Sequence, residues 1–186
     1  MIQMRNAPAT LEDLYREPGK AELIDGRIVR QMVTGRRPNN IAGNVYVHLR
    51  AYAKASQQGE AYTDMMGFAV PLLSSGRQSF CPDASYYRGP FPENEMRFIE
   101  GPPTLAVEVR SECDYEAGAA EAMAAKRADY FEAGTLAVWD VDVLAETVHV
   151  YVKENPLVPE TFKRGQIVHA GSAMPGFQLS IDQIFE

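Results

Sequence analysis

The chain has 186 residues, of which 46% are apolar and 23% charged, the balance of an ordinary globular protein. At this length a single domain over residues 1–186 is expected, with a substantial core. No apolar run reaches the roughly 18 residues that a membrane span needs, so no membrane partner is expected. The amino terminus has no apolar signal-peptide core, which favours a cytoplasmic protein. Two cysteines, Cys81 and Cys113, are too few for a disulfide framework or a cysteine-based zinc site.

The net charge of −7 is unevenly distributed along the chain. Residues 1–60 contain nine Lys or Arg and six acidic residues, whereas residues 61–186 contain nine and nineteen. An acidic body with a mildly basic amino-terminal part is compatible with a local nucleic-acid groove. Solvated charges without any partner would produce the same distribution, so charge alone does not decide the function.

The amino-terminal part is predicted to contain a short helix, a β-hairpin and a longer helix. Thr10, followed by acidic residues, is typical of a helix cap. Two alternating runs on either side of Asp25-Gly26 predict the hairpin. Apolar residues at helical spacing predict the longer helix, which should begin at Pro38 and be closed by Gly59.

The second half of the chain is predicted to form the main sheet. After Glu60, two strands separated at Gly67 are expected, and a third strand has Asp83 at its start. The remaining predicted elements are an irregular connection over 89–103, a buried strand over 104–110, an alanine-rich helix over 114–133 ended by Gly134, strands over 136–141 and 147–152, one or two edge strands in the tail and a short helix over 180–185.

Strand 104–110, helix 114–133 and strand 136–141 together form a β-α-β unit, whose strands should be parallel and whose connection should be right-handed. No internal repeat or low-complexity segment interrupts this pattern. The sequence therefore predicts an α/β fold with a central mixed β-sheet flanked by helices, together with an amino-terminal helix and β-hairpin.

Glu108 lies in the middle of the apolar run Leu-Ala-Val-Glu-Val at 105–109. An unpaired carboxylate in a buried strand is costly to desolvate, so Glu108 needs a cation, a hydrogen-bond network or a metal ion. Because strand side chains alternate, Glu108 shares a face with Arg110, and Asp83 is expected to approach from a neighbouring strand. Two carboxylates at a strand end can hold Mg²⁺ with several waters. Such an ion would activate water and stabilise charge on a phosphate.

Two basic residues are candidates for a catalytic cation beside these acids. Lys126 lies on the predicted helix, with Tyr130 one turn further along the same helix face. Its ammonium would orient a water or neutralise developing charge. Arg110 is the competing candidate, because a guanidinium stays protonated and binds phosphate through its planar fork. Glu22, a third acid inside an apolar strand, would add to the same metal site.

Each candidate also has a structural interpretation. Asp83 would be a turn residue, Glu108 and Arg110 a same-face ion pair, Glu22 an edge-strand residue facing solvent, and Lys126 a solvated helix residue. The joint pattern favours function, because the groups fall on adjacent elements of one β-α-β core. Structural roles are predicted for Asp114 as a helix cap, for Trp139 and Tyr130 as core residues, and for Asp140 and Asp142 as turn residues, although these two aspartates would also suit a cation.

Several short motifs, taken in order, resemble the Uma2 (Uma-two) family of bacterial endonucleases, which have a restriction-endonuclease-like fold of the PD-(D/E)XK type. The similarity extends from about residue 8 to the carboxyl terminus. Each motif is weak alone, and their order and spacing carry the resemblance. The motifs are Glu22-Leu23-Ile24-Asp25-Gly26, Pro82-Asp83, Val107-Glu108-Val109-Arg110-Ser111, Lys126 with Tyr130, Gly134 and Val138-Trp139-Asp140-Val141-Asp142.

The resemblance implies that Asp83 and Glu108 bind the metal ion and that Glu22 matches the family's amino-terminal glutamate. It also implies that Lys126 is the catalytic lysine, displaced from the strand onto the following helix. Arg110 departs from the family pattern, since it stands where the strand motif carries lysine, and Lys126 would substitute for it.

A second departure concerns the predicted helix after the hairpin. Asn39-Asn40 stands where the family's helix often opens with a histidine. The departure removes a polar group from this position, so it bears on whether the site is active.

Together these inferences predict an endonuclease that depends on Mg²⁺ or Mn²⁺ and hydrolyses phosphodiester bonds, with DNA as the expected nucleic-acid partner. A homodimer would suit an enzyme that cuts both strands of a duplex. Two other functions stay open: a non-catalytic nucleic-acid-binding or interaction protein on a degenerate nuclease fold, and a metal-dependent hydrolase of small phosphoesters.

Overall fold

A computed structural model describes residues 7–186; the stretch 1–6, on which the expectation about a signal peptide rests, lies outside the described residues. The helices are α1 (Leu11–Leu14), α2 (Arg36–Ser56), α3 (Ala119–Ala133) and α4 (Ile181–Ile184). The strands are β1 (Ala21–Ile24), β2 (Arg27–Arg30), β3 (Glu60–Thr63), β4 (Phe68–Ala69), β5 (Ser79–Phe80), β6 (Ala84–Tyr87), β7 (Ile99–Glu100), β8 (Leu105–Val109), β9 (Ala137–Asp142), β10 (Thr147–Val152), β11 (Asn155–Lys163), β12 (Ile167–His169) and β13 (Gln178–Ser180).

The centre of the fold is a six-stranded mixed sheet with the strand order β11-β10-β9-β8-β6-β3. Strands β8 and β9 are parallel and are joined through α3, as predicted for the β-α-β unit. The other neighbouring pairs in this sheet are antiparallel. These pairings confirm the predicted α/β class with a central mixed sheet.

The two faces of β8 bury different partners, because its side chains alternate. Leu105, Val107 and Val109 pack in the core that also contains the buried face of α2. Ala106 packs on the opposite face, in the core that contains Tyr130 of α3. Since Glu108 shares the face of Ala106, α3 is the helix that approaches it.

The amino-terminal elements follow the predicted pattern closely. Thr10 caps α1 and forms a capping box with Asp13. Asp25 and Gly26 both adopt positive φ angles of 49° and 64°, as the tight turn between β1 and β2 requires. The backbone N–H of Leu23 donates to Ser79 Oγ at 2.8 Å, which fixes β1, and with it Glu22, beside β5.

Several predicted boundaries differ from the structure. Helix α2 begins at Arg36, with Gly35 as its cap, and Pro38 is tolerated because the first-turn N–H groups have no helical partner. Its left-handed closing residue is Gln57 rather than Gly59. The predicted irregular connection 89–103 contains the two-residue strand β7, and the tail contains three strands rather than one or two.

The predicted start of α3 was wrong by five residues, since the helix begins at Ala119 and not at Asp114. Gly118, with a φ angle of 86°, separates α3 from a 3₁₀ turn over Glu112–Tyr115. Asp114 therefore does not cap α3: it accepts hydrogen bonds from Ser111, which caps the 3₁₀ turn. Gly134 ends α3 as predicted.

Edge strand β11 is irregular along its length. Glu160 pairs with Val150 of β10, and the pairing resumes at Asn155 with Val152. The intervening residues 156–159, which include two prolines, form a bulge away from the regular ladder.

Candidate active site

Asp83 and Glu108 come together at one end of the central sheet. Strands β6 and β8 pair Ala84 with Val107, so Asp83, which immediately precedes β6, lies beside Glu108. Asp83 Oδ2 accepts a hydrogen bond from the backbone N–H of Val109 at 2.8 Å. Asp83 is therefore fixed against β8, and it does not act as an isolated turn residue. Both carboxylates line one cavity of about 660 Å³.

Lys126 of α3 lies directly against Glu108. Its Nζ is 2.9 Å from Glu108 Oε1 and 3.3 Å from Glu22 Oε1. The hydroxyl of Tyr130, one helical turn later, donates to the same Glu108 Oε1 at 2.6 Å. The predicted helix face therefore does turn toward the strand, and Lys126 is not a solvated helix residue. Tyr130 is buried, as predicted for a core residue, but it also holds the glutamate.

Lys20 supplies a second ammonium that was not predicted from the sequence. Its Nζ is 2.6 Å from Asp83 Oδ1 and 2.8 Å from Asp64 Oδ1. A signal was present, because Lys20 stands two residues before Glu22, and alternation along the strand places both on one face. Asp64 lies between β3 and β4 and carried no comparable signal.

Glu22 is 2% exposed, so the interpretation as a solvent-facing edge residue is wrong. Its Oε2 pairs with Arg77 Nη1, and its Oε1 accepts from the backbone N–H of Cys81 at 2.9 Å. Arg77 in turn donates from Nε to Asp129 at 2.7 Å. Both oxygens of Glu22 are thus engaged, which favours a role in holding Lys126 in place.

Electrostatics separate the two glutamates. Burial raises the pKa of Glu108; Lys126 opposes this increase, and Asp83 and Glu22 add to it. Burial acts in the same direction on Glu22, but Lys126 and Arg77 outweigh it and lower the pKa of Glu22 below its usual value. Glu22 is therefore the more firmly ionised of the two.

The pKa of Lys126 lies above its usual value. Desolvation by burial acts to lower it, but the neighbouring Glu108 and Glu22 prevail. Burial, followed by the nearby Glu108, also raises the pKa of Tyr130. At neutral pH both groups keep their protons and act as hydrogen-bond donors to Glu108.

Arg110 does not pair with Glu108, so the predicted same-face ion pair is wrong. Its Nε donates to Asp140 Oδ1 and its Nη1 to Asp142 Oδ2, each at 2.7 Å. Arg127 of α3 also donates to Asp140, at 3.1 Å. The parallel register of β8 and β9 explains this arrangement, because it places the end of β8 beside the end of β9. Asp140 lies within β9 and pairs with arginine, so the predicted turn role is wrong for this residue. Asp142 ends β9 and does have the predicted turn role, since its Oδ1 accepts from the backbone N–H groups of Leu144 and Ala145 at 3.1 and 2.9 Å.

The remaining predicted positions have separate outcomes. Trp139 is fully buried in the core under α2, as predicted. Asn39, in the first turns of α2, borders a small cavity that Asp83 also lines. The position at which the family often carries histidine is thus close to the acids.

The donor set suits a hard divalent cation. Among residues 7–186, no group of three or more His, Cys, Asp or Glu side chains is arranged to hold an ion. Two carboxylates nevertheless match Mg²⁺, which keeps several waters and takes one or two protein carboxylates. Within the described part of the chain, Glu108 Oε2 has no hydrogen-bond donor, and the side chain is 25% exposed. This oxygen is available to a ligand.

The central mixed sheet, with the acid–lysine arrangement at its end, has the form of a restriction-endonuclease-like fold. The family model described as "Putative restriction endonuclease" matches residues 8–182. The chain therefore belongs to the Uma2 family.

A solved structure supports the same fold. It is a crystal structure of a "putative nuclease belonging to DUF820" from Anabaena variabilis, with a TM-score of 0.74 and 21% sequence identity. The similarity covers 96% of this chain and 98% of that one. No curated protein matches the chain. Among the described residues, none of the helices is long and apolar enough to cross a membrane.

Proposed function

We propose that the protein is a metal-dependent endonuclease that hydrolyses phosphodiester bonds of DNA. The observation that carries this proposal is the pair Asp83 and Glu108, held side by side on neighbouring strands with an ammonium against each carboxylate. Two adjacent like charges destabilise each other, so a site that keeps them together is suited to binding cations.

Asp83 and Glu108 are the residues that would hold Mg²⁺ or Mn²⁺. When bound, such an ion supplies a more acidic water and stabilises negative charge on a phosphate. Tyr130 and Lys126 contact Oε1 of Glu108, which lines the cavity, and leave Oε2 for a ligand. Glu22 would hold the ammonium of Lys126 in position and would not be a metal ligand.

Lys126 would act as a cation rather than as a base, because its raised pKa keeps the amine protonated. In this role it donates a hydrogen bond to a phosphate oxygen or to the attacking water and neutralises developing charge. Arg110 lines the same cavity, and a phosphate contact is its predicted role. Its contacts with Asp140 and Asp142 favour a role in shaping the cavity wall.

A metal and plasmid experiment tests the proposal. Wild-type protein with Mg²⁺ or Mn²⁺ should convert supercoiled plasmid to nicked or linear products, and Asp83→Asn should not. Calorimetric titration should show that the wild type binds Mn²⁺. The affinity of Asp83→Asn for Mn²⁺ should be at least about tenfold lower. Equal Mn²⁺ binding by the two proteins would contradict the proposal.

A non-catalytic nucleic-acid-binding protein is the second candidate. The contacts of Lys20 with Asp83 and of Lys126 with Glu108 favour it, because lysines can neutralise both acids permanently. In that case DNA would bind without being cut and Mn²⁺ would not bind.

Turnover of a chromogenic phosphodiester but not of plasmid would instead indicate a small-phosphoester hydrolase. A homodimer would bring two sites to one duplex and would therefore suit cutting of both strands.

A further inference from the structure

The segment of residues 26–59 contains no Asp or Glu and six Lys or Arg. The whole chain carries −7, so this segment carries +6 and the rest of the chain −13. The segment comprises the second strand of the hairpin, the following loop and all of α2.

The exposed face of α2 displays part of this charge as one stripe. Positions at helical spacing, opposite the buried face of Ile41, Val45 and Leu49, are all exposed. Arg36 and Lys54 lie about 27 Å apart along the helix axis, at about 1.5 Å per residue. The exposed stripe consists of Arg36, Asn40, Gly43, Val47, Arg50 and Lys54.

These cations are available to an external anion. Among residues 7–186, Arg36, Arg50 and Lys54 have no carboxylate within ion-pair distance. By contrast, the basic residues around the candidate active site are all paired with acids, including Lys20, Lys126 and Arg110. The surface of α2 and the cavity therefore have different electrostatic roles.

The stripe begins beside the proposed metal-binding acids. Residues 31–35, which lead into α2, line the main cavity. Thr34, Pro38 and Asn39 also border the small cavity that Asp83 and Val109 line. In the same loop, Met32 and Val33 are 86% and 96% exposed, so apolar side chains stand next to the basic stripe. This combination suits a polymer that carries both phosphates and bases.

We propose that loop 31–35 and the exposed stripe of α2 form the surface that binds the polynucleotide backbone on one side of the scissile phosphate. The inference rests on the proposed nuclease function and adds the location of the substrate strand. The stripe would follow about eight nucleotides of one strand of a duplex, at about 3.4 Å of helix axis per nucleotide. The acidic remainder of the chain would repel the polynucleotide backbone, so the polynucleotide would bind along the stripe.

DNA binding without added metal tests the proposal. Fluorescence anisotropy would measure the affinity of a labelled 20-nucleotide DNA, single-stranded and duplex, for the wild type and for the triple variant Arg36→Gln, Arg50→Gln, Lys54→Gln. The triple variant should bind at least about tenfold more weakly, because each lost phosphate contact weakens binding uniformly across sequences. The slope of log affinity against log salt should fall by about 2 to 3 for the duplex.

A matched control removes the same net charge elsewhere. Arg88, Lys153 and Lys163 are exposed and, within the described residues, have no ion-pair partner. Replacing all three by Gln should change DNA affinity less than about twofold. Thermal unfolding and Mn²⁺ titration of both triple variants would show that fold and metal site are intact, and the single variants serve if the triple does not fold.

Three results would overturn the proposal: equal weakening in both triple variants, no weakening in either, or wild-type protein that binds neither DNA. Because binding is measured without metal and without cleavage, these results are independent of the plasmid experiment. An inactive protein that binds DNA through α2 would contradict only the nuclease function.

Discussion

Two polar clusters lie at the same end of the central sheet. Their carboxylates differ in the cations that pair with them and in their exposure to solvent. We define the acid–lysine cluster as Lys20, Asp64, Asp83, Glu108 and Lys126, and the arginine–aspartate cluster as Arg110, Arg127, Asp140 and Asp142. In the second cluster, a fork of Arg110 holds Asp140, whose side chain is 4% exposed, and one further N–H of Arg110 donates to Asp142. In the first, Asp83 and Glu108 keep 22% and 25% exposure.

The difference follows from the cation that each cluster uses. A guanidinium binds a carboxylate through a planar fork and fixes its geometry, whereas an ammonium is a compact charge on a flexible stem. Lysine can therefore neutralise an acid and still leave an oxygen accessible. The comparison teaches that the choice between lysine and arginine separates acids that would bind a ligand from acids that support the fold.

The largest expected effect separates the clusters by activity. Glu108→Gln should reduce metal-dependent cleavage of plasmid by about 10³-fold, because the neutral amide keeps the side-chain volume but binds the proposed metal ion much more weakly. Asp142→Asn, in the arginine–aspartate cluster, is the matched control and should retain cleavage within about tenfold. Equal losses in the two variants would remove the functional distinction between the clusters.

The next effect is on stability. Asp140→Ala should lower the free energy of unfolding by about 3 kcal/mol, because Arg110 and Arg127 would lose their shared, buried carboxylate. Urea unfolding monitored by circular dichroism measures the change. Glu12→Ala is a suitable comparison, since its pair with Arg97 is exposed and should contribute little to stability. A loss of stability in Asp140→Ala no larger than that in Glu12→Ala would contradict a supporting role.

A smaller effect concerns the metal ion. Lys20→Met should tighten Mn²⁺ binding by about tenfold, because the ammonium and the ion compete for Asp83 and removing one favours the other. Calorimetric titration measures the affinity, and Lys54→Met provides a surface control. Weaker Mn²⁺ binding in Lys20→Met would indicate that Lys20 supports the ion-binding geometry instead of competing with it.

The smallest expected effect is a pH dependence of stability with opposite signs at the two glutamates. The pKa of Glu22 is lowered by folding, so its contribution is present above its unfolded pKa and is lost as pH falls through the folded value. The pKa of Glu108 is raised, so its contribution is present below its unfolded pKa and is lost as pH rises through the folded value.

Urea unfolding between pH 3 and pH 8 would reveal these signs. Relative to wild type, Glu22→Gln should flatten the acid side of the stability profile. Glu108→Gln should remove the loss of stability as pH rises above the ordinary range of a glutamate. Changes of the same sign in both variants would show that the two environments do not differ.

Local sequence patterns were sufficient to predict part of the candidate site. A carboxylate inside an apolar strand is conspicuous, so Glu108 could be found, and the β-α-β pattern placed Lys126 on the element that returns over it. Alternation places Lys20 on the face of Glu22, but its contact with Asp83 depends on how the hairpin packs beside β5, which local spacing does not determine. The partners of Arg110 depend on the register between β8 and β9, which local spacing does not determine.

Helix boundaries were predictable where the chain carries a clear cap, as at Thr10 and Gly134. The start of α3 was missed because a 3₁₀ turn precedes the helix closely. The acidic residues and alanines from residue 114 onward favour a helix throughout. Gly118 interrupts that run with a left-handed backbone. It separates α3 from the 3₁₀ turn that the capping box at Ser111 stabilises.

The bulge at residues 156–159 has a consequence for assembly. An outer strand with free N–H and C=O groups is a template on which another chain can add. In β11 the two prolines have no N–H to offer, and the bulge breaks the spacing that such addition requires. At the opposite border of the sheet, β3 is only four residues long. Two copies of this protein would thus have to meet through side-chain surfaces, and joining their sheets into one continuous ribbon is disfavoured at both ends.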